Sequence, residues 1–293
     1  MVDFFEIVKS ILLGIVEGIT EWLPISSTGH MILLNDVLKL NVSEAFWDLF
    51  NVVIQLGAIL AVVVIYFKKL WPFAISKKLD KDNTMLSIGA VGLKKSTMML
   101  WFKVIVAMIP AALIGIPLDD WFEENLHTSP VVAAALIIYG VLFILVEKHN
   151  ANKTFAVNSV DDITFKTAFG IGLFQALSLV PGTSRSGSTI LGASTLSVSR
   201  SAAAEFSFFL AVPVMLGASL IKSLKFALEV IGGEAVFGSS EIILLLVGCV
   251  VAFVVSMAAI KFLTDFVKKH SFSAFGIYRI ILGIIVLAVY FIG

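Results

Sequence analysis

Long apolar runs constrain this chain more than any other feature. Residues 46–67, 98–118 and 131–146 form three of them, and residues 206–221, 242–260 and 275–291 form three more. A bilayer core of about 30 Å takes roughly 20 such residues as a helix. Backbone N–H and C=O groups find no water in lipid, so a continuous apolar segment closes its hydrogen bonds internally as a helix. The 293 residues are 59% hydrophobic and 14% charged, against about 45–50% and 25% in a soluble domain. The expected class is an all-α integral membrane protein. Zero net charge offers no field that would gather nucleic acid. The N-terminus has neither a basic region nor a small-residue cleavage site, so no removable signal peptide is expected. Cys249, the one cysteine, lies in an apolar run and reads as a small buried hydrophobe.

Two apolar stretches are interrupted. Residues 4–16 are too short to cross before a polar series begins: Glu17-Gly18-Ile19-Thr20-Glu21-Trp22-Leu23-Pro24-Ile25-Ser26-Ser27-Thr28-Gly29-His30. Pro24 ends one helix, and Ser26 or Ser27 can cap the next. Residues 168–180 likewise end at Pro181, ahead of Gly182-Thr183-Ser184-Arg185-Ser186-Gly187-Ser188-Thr189. Each reads as a re-entrant hairpin, tolerated at membrane depth only inside protein or beside a water-filled cavity. Setting Pro24 on Pro181 brings Ser27 onto Ser184, and further on Phe46 matches Phe206 and Leu56-Gly57-Ala58 matches Leu216-Gly217-Ala218. The pattern predicts two repeats, residues 1–150 and 151–293, each a hairpin plus three spans. Three spans cross an odd number of times, so the second repeat is inverted, as in many transporters.

Lysines set the orientation. The loop 68–95 carries Lys68, Lys69, Lys77, Lys78, Lys81, Lys94 and Lys95, and the loops 147–166 and 261–273 are also lysine-bearing, so all three are expected in the cytoplasm. The acidic loop 119–129 and both termini then face outward. Hairpins entering from opposite faces would bring their polar tips together.

Glu17 and Glu21 share a helix face. They could hold a hard divalent cation together with phosphate oxygens, share a proton, or face a headgroup crevice. Ser27 and His30 also share a face. Ser27 could be a nucleophile with His30 as its base, or merely a cap; His30 could itself attack phosphorus or protonate a leaving group. The turn 182–189 opens a helix whose N–H groups suit an anion, and Arg185 adds a forked phosphate donor, unless carbonyls or a glutamate hold it. Ser26, Thr28, Gly182, Thr183, Ser184 and Ser186 are candidate substrate contacts, although some of their hydroxyls must satisfy backbone groups. His127, His149 and His270 read as loop residues, and Arg279 as an interhelix or headgroup anchor. The run Phe206-Ser207-Phe208-Phe209 could line a groove for a lipid tail or simply face lipid. The combination asks for an anionic, lipid-borne substrate and suits phosphoryl transfer.

Glu17-Gly-x-x-Glu21-Trp-Leu-Pro-Ile-Ser-Ser-Thr-Gly-His30 and Pro181-Gly-Thr-Ser-Arg185-Ser-Gly-Ser-Thr189 resemble the two signature motifs of bacterial undecaprenyl-diphosphate phosphatases of the bacitracin-resistance type. Trp22 stands where that family commonly has phenylalanine. The resemblance covers essentially the whole chain. It implies hydrolysis of undecaprenyl diphosphate to undecaprenyl phosphate, the lipid carrier of cell-wall synthesis. It further implies a multi-pass protein of the bacterial plasma (inner) membrane, a site open to the periplasm, dependence on a divalent cation (Mg or Ca) and a homodimer. Carried over by position, Glu17 and Glu21 become metal or acid–base groups, Ser27 the nucleophile, His30 its partner and Arg185 the diphosphate clamp. The alternative for this architecture is a polyprenyl-phosphate flippase or anion transporter using the same cluster for binding alone.

Overall fold

A computed structural model describes residues 3–75, 83–88 and 91–292; Lys77, Lys78 and Lys81 of the lysine-rich loop lie outside the described residues. The first half contains α1 (Phe4–Thr20), α2 (Ser27–Leu38), α3 (Glu44–Ile65), the short α4 (Phe67–Leu70), strands β1 (Phe73–Ile75), β2 (Thr84–Ile88) and β3 (Val91–Lys94), then α5 (Lys95–Leu126) and α6 (Ser129–Asn150). The second contains α7 (Phe165–Ala176), α8 (Arg185–Thr195), α9 (Arg200–Gly232), α10 (Ser239–Lys269) and α11 (Ser273–Ile292). Among the described residues, helices α3, α5, α6, α9, α10 and α11 are the six long and apolar enough to cross a membrane. The protein is an all-α membrane protein.

Local sequence explains the helix starts. Ser43, Thr164 and Ser199 each accept a hydrogen bond from a first-turn backbone N–H, which satisfies one of the donors a helix start leaves free. Helices α1 and α2, and again α7 and α8, are short pairs joined by the two polar stretches.

Three details differ from the sequence reading. Residues 119–129 are not a loop: α5 continues to Leu126, with Pro110 and Pro117 inside it. Its acidic end is held against α9, where Lys225 pairs with Asp119 and Asp120 and Lys222 with Glu123. α9 itself runs well past the apolar run 206–221, because those lysines find partners instead of ending the helix. In the lysine-rich loop, the strands form a small antiparallel sheet in the order β1-β3-β2.

α1 packs on α10, α7 on α5, α6 on α11, and α3 between α9 and α10. Glycines permit the close crossings. A Cβ on Gly14 would lie 2.7 Å from the Gly248 carbonyl oxygen, and one on Gly140 would lie 2.6 Å from the Gly276 oxygen, with the reciprocal approach at 2.7 Å. Gly217, which the repeat pairs with Gly57, has open space instead, whereas a Cβ on Gly57 would collide with the Cys249 carbonyl. Gly140→Val is therefore expected to destabilise by about 1–3 kcal/mol through overpacking, and Gly217→Ala to be neutral or slightly stabilising. Thermal unfolding in detergent compares the two; equal midpoints would remove the crossing argument.

Phe206, Phe208 and Phe209 are at most 1% exposed. They fill the core around the site and do not line a surface groove. Cys249 is half-buried, its thiol donating to the Val53 carbonyl at 3.4 Å.

Candidate active site

Both polar turns end in a serine with positive φ, 73° at Ser26 and 70° at Ser184. Such backbone costs about 1–3 kcal/mol for a non-glycine residue and persists where its surroundings over-determine it. Each serine caps the helix it precedes. Ser26 Oγ accepts from Gly29 N at 3.3 Å, and Ser184 Oγ from Gly187 N at 3.1 Å. The local equivalence is thus Ser26 with Ser184, which puts Ser27 opposite Arg185. That is one residue out of step with the alignment on Pro24 and Pro181. The difference arises because the second turn uses Gly182, at φ 87°, where the first has Pro24.

Arg279 of α11 holds both turns. It is fully buried, and its guanidinium donates to the carbonyls of Pro24 (3.2 Å), Gly182 (2.8 Å) and Thr183 (2.9 Å). Its sequence reading as an interhelix or headgroup anchor resolves to the interhelix form. Gly187 leaves it room, since a Cβ there would lie 2.9 Å from Arg279 Nη1. The turns also touch directly: Ser186 Oγ donates to the carbonyls of Glu21 (3.0 Å) and Leu23 (3.3 Å).

The centre of the site is Glu21. Ser27 Oγ donates to its Oε2 at 2.9 Å, and Arg185 Nη2 to its Oε1 at 3.1 Å. One carboxylate therefore joins the first residues of two helices that lie more than 150 positions apart in the chain. Arg185 is fixed from behind by the Ser207 carbonyl at 2.8 Å and lies 6.0 Å from the Trp22 ring. Ser207 also meets Thr189, hydroxyl to hydroxyl at 2.7 Å. Glu17 packs beside Glu21. It is buried, and its Oε1 has no hydrogen-bond partner among the described residues.

His30 is not bonded to Ser27. Its Nδ1 donates to the Ser26 carbonyl at 2.7 Å, and its Nε2 meets the Tyr278 hydroxyl at 2.7 Å. The helix face shared by Ser27 and His30 therefore does not become a hydrogen bond between them: Ser27 meets Glu21, and His30 meets Ser26 and Tyr278. The reason is local: Ser26 turns its carbonyl back along the first turn of α2 and captures the imidazole.

The candidate contacts divide by exposure. Ser27, Thr28, His30, Ser184 and Arg185 are half-buried, whereas Ser26, Gly182, Thr183 and Ser186 are buried. The buried four make hydrogen bonds that shape the turns: Ser26 and Ser186 through their hydroxyls, Gly182 and Thr183 through their carbonyls to Arg279. Sequence reasoning missed Ser207 and Tyr278, which sit in apolar helices without a local signal. It also missed Gln175, which follows Gly172 in α7 at the spacing by which Glu17 follows Gly14 in α1. Both of its amide atoms are buried without a partner among the described residues. The second half thus carries a neutral amide where the first carries a carboxylate, and the acidic chemistry is one-sided. The acidic trio Asp119, Asp120 and Glu123 lies apart from the site, paired with lysines.

Residues 10–285 match the family described as Bacitracin resistance protein BacA. The chain belongs to this family. Among BacA-like relatives, a protein of Enterococcus faecalis named undecaprenyl-diphosphatase is 55% identical over 98% of each chain. Proteins of the same name from Acetivibrio thermocellus and Lactococcus lactis subsp. lactis are 52% and 53% identical, each over 96% of both chains. The match spans both turns and all six long helices apart from the last residues of α11.

Proposed function

We propose that this protein is a membrane-embedded phosphatase that converts undecaprenyl diphosphate to undecaprenyl phosphate and inorganic phosphate. The observation that carries the reading is the Glu21 carboxylate, shared by the Ser27 hydroxyl at 2.9 Å and the Arg185 guanidinium at 3.1 Å. Nucleophile, proton acceptor and phosphate clamp meet there on one group. The names of the relatives favour hydrolysis over the transport alternative.

In the proposed course, Ser27 Oγ attacks the terminal phosphorus and passes its proton to Glu21. The bond to the bridging oxygen breaks, and undecaprenyl phosphate leaves with the electron pair. Arg185 turns its fork to the terminal phosphate oxygens, a planar donor set suited to them. Glu21 hands its proton to the departing phosphate oxygen and is a carboxylate again. Water then attacks the phosphoserine as Glu21 takes a proton from it and returns that proton to Ser27 Oγ, which releases phosphate and restores the serine. Positioning and charge neutralisation are what this reaction demands of a protein.

A divalent cation, Mg²⁺ or Ca²⁺, fits these residues. A hard cation takes carboxylate and phosphate oxygens, and the unpaired Glu17 Oε1 beside Glu21 offers such a donor. Bound there, it would supply positive charge against the phosphate oxygens, which Arg185 alone would otherwise face. The polyprenyl chain leaves along a lateral groove of about 670 Å³ between α1, α10 and α11, lined by residues such as Val255, Phe262 and Phe266 and reaching the first turn at Leu23 and Ile25. We place the protein in the bacterial plasma membrane with Lys68, Lys69, Lys94, Lys148, Lys268 and Lys269 toward the cytoplasm, and with the site and both termini toward the periplasm.

Detergent-solubilised protein incubated with undecaprenyl diphosphate and Mg²⁺ should release phosphate. Release should stop with a chelator and return when Mg²⁺ or Ca²⁺ is added in excess. No release with metal present would sink the phosphatase reading, and full release under chelator would sink the metal.

A further inference from the structure

We propose that Tyr278 is a positioning residue for His30, holding it in one tautomer and away from Ser27. A carbonyl oxygen only accepts, so the 2.7 Å contact to Ser26 places a proton on Nδ1. Neutral imidazole then has only a lone pair at Nε2, and the Tyr278 hydroxyl at 2.7 Å must donate to it. Both ring nitrogens are engaged. The rings also stack, with centroids 5.6 Å apart and planes 8° from parallel. The two residues lie on α2 and α11, 248 positions apart.

Tyr278 owes its place to its neighbour. Arg279 fixes α11 to the carbonyls of both turns, so residue 278 is delivered to the imidazole by the anchor that shapes the Ser26 turn. One helix thereby sets the backbone of the turns with one side chain and the direction of His30 with the next. The Ser27 proton is left to Glu21, while the Nδ1 proton and the Nε2 lone pair of His30 are held by Ser26 and Tyr278.

Tyr278→Phe keeps the ring and its stacking and removes only the hydroxyl. In protein with ¹⁵N-labelled histidine, wild-type His30 should show a protonated Nδ1 and a hydrogen-bonded, unprotonated Nε2, identified by subtraction of a His30→Gln spectrum. In Tyr278→Phe the Nε2 resonance should move toward that of an unbonded ring nitrogen. The activity part rests on the phosphatase reading: kcat should fall about five- to tenfold, in line with one lost hydrogen bond, while KM stays within about twofold. Tyr278→Leu, which also loses the stack, should be worse. A wild-type Nε2–H tautomer, or unchanged His30 resonances in Tyr278→Phe, overturns the proposal whether or not the protein proves to be a phosphatase. Absence of phosphate release from the wild type with the spectra as expected overturns the phosphatase reading and leaves the positioning intact.

Discussion

Changing Glu21 to glutamine should lower phosphate release by about 10²–10⁴-fold, the range for loss of a positioned general base. Glutamine has nearly the same shape, so packing survives and the charge is what is removed. The amide oxygen can still accept from Ser27 or from Arg185, but it cannot take the serine proton. The amide nitrogen also sets a donor against whichever partner remains. Ser27→Ala should cost at least as much, because the attacking atom is gone. The pair is the sharper test. Groups that act in one step are strongly non-additive, so Glu21→Gln combined with Ser27→Ala should be no slower than the worse single variant within a few-fold. Losses that multiply in the double variant would mean that Glu21 does not act through Ser27. Retention of more than about a tenth of the wild-type rate in Glu21→Gln would exclude it as the base. Arg185→Lys should not rescue Arg185→Ala, since an ammonium cannot reach Glu21, the Ser207 carbonyl and a phosphate together.

The second large effect belongs to a residue outside the chemistry. Arg279→Met should destabilise the protein by about 3–5 kcal/mol, roughly what leaving three buried carbonyls without their donor costs. Methionine fills much of the space, but the carbonyls of Pro24, Gly182 and Thr183 lose their donor inside the protein. An unsatisfied buried polar group costs about 1–3 kcal/mol. Two turns held at positive φ lose the contact that over-determines them, so activity should fall with stability even though Arg279 touches neither Ser27 nor Glu21. Thermal unfolding in detergent should show a midpoint lower by about 5–10 °C. A midpoint within about 2 °C of wild type would show that the turns hold themselves. Arg279→Lys separates the causes: it keeps the charge near the Tyr139 ring, which lies 5.5 Å from the Arg279 guanidinium carbon, but it lacks the fork that spans three carbonyls.

The class of the protein was legible in its sequence because apolar runs of about 20 residues have one solution in lipid. The six long helices fall where the runs lie, and Pro24 and Pro181 mark the two interruptions. Helix ends were less legible. The acids that follow residue 118 look like a loop until Lys222 and Lys225 of α9 are found beside them. The polar residues of the site were visible because charge is expensive at membrane depth and so stands out.

Their partnerships were not visible. Sequence spacing put His30 on one helix face with Ser27 and suggested a pair. The structure gives Ser27 to Glu21, six residues back across a turn, and gives His30 to Tyr278 on the last helix. Local spacing fixes which side chains share a face of one helix. It says nothing about backbone carbonyls turned inward at a bend, or about which distant helix supplies the donor. Those are settled only when α11 packs against α6 and brings Tyr278 and Arg279 to both turns. The sequence by itself determined a six-span helical membrane protein and marked the two polar turns where its charged and hydroxyl side chains gather. The tertiary structure alone decided which of them bond to one another, because the hydrogen bonds that Glu21, Arg279 and Tyr278 make in the site cross a turn or join separate helices.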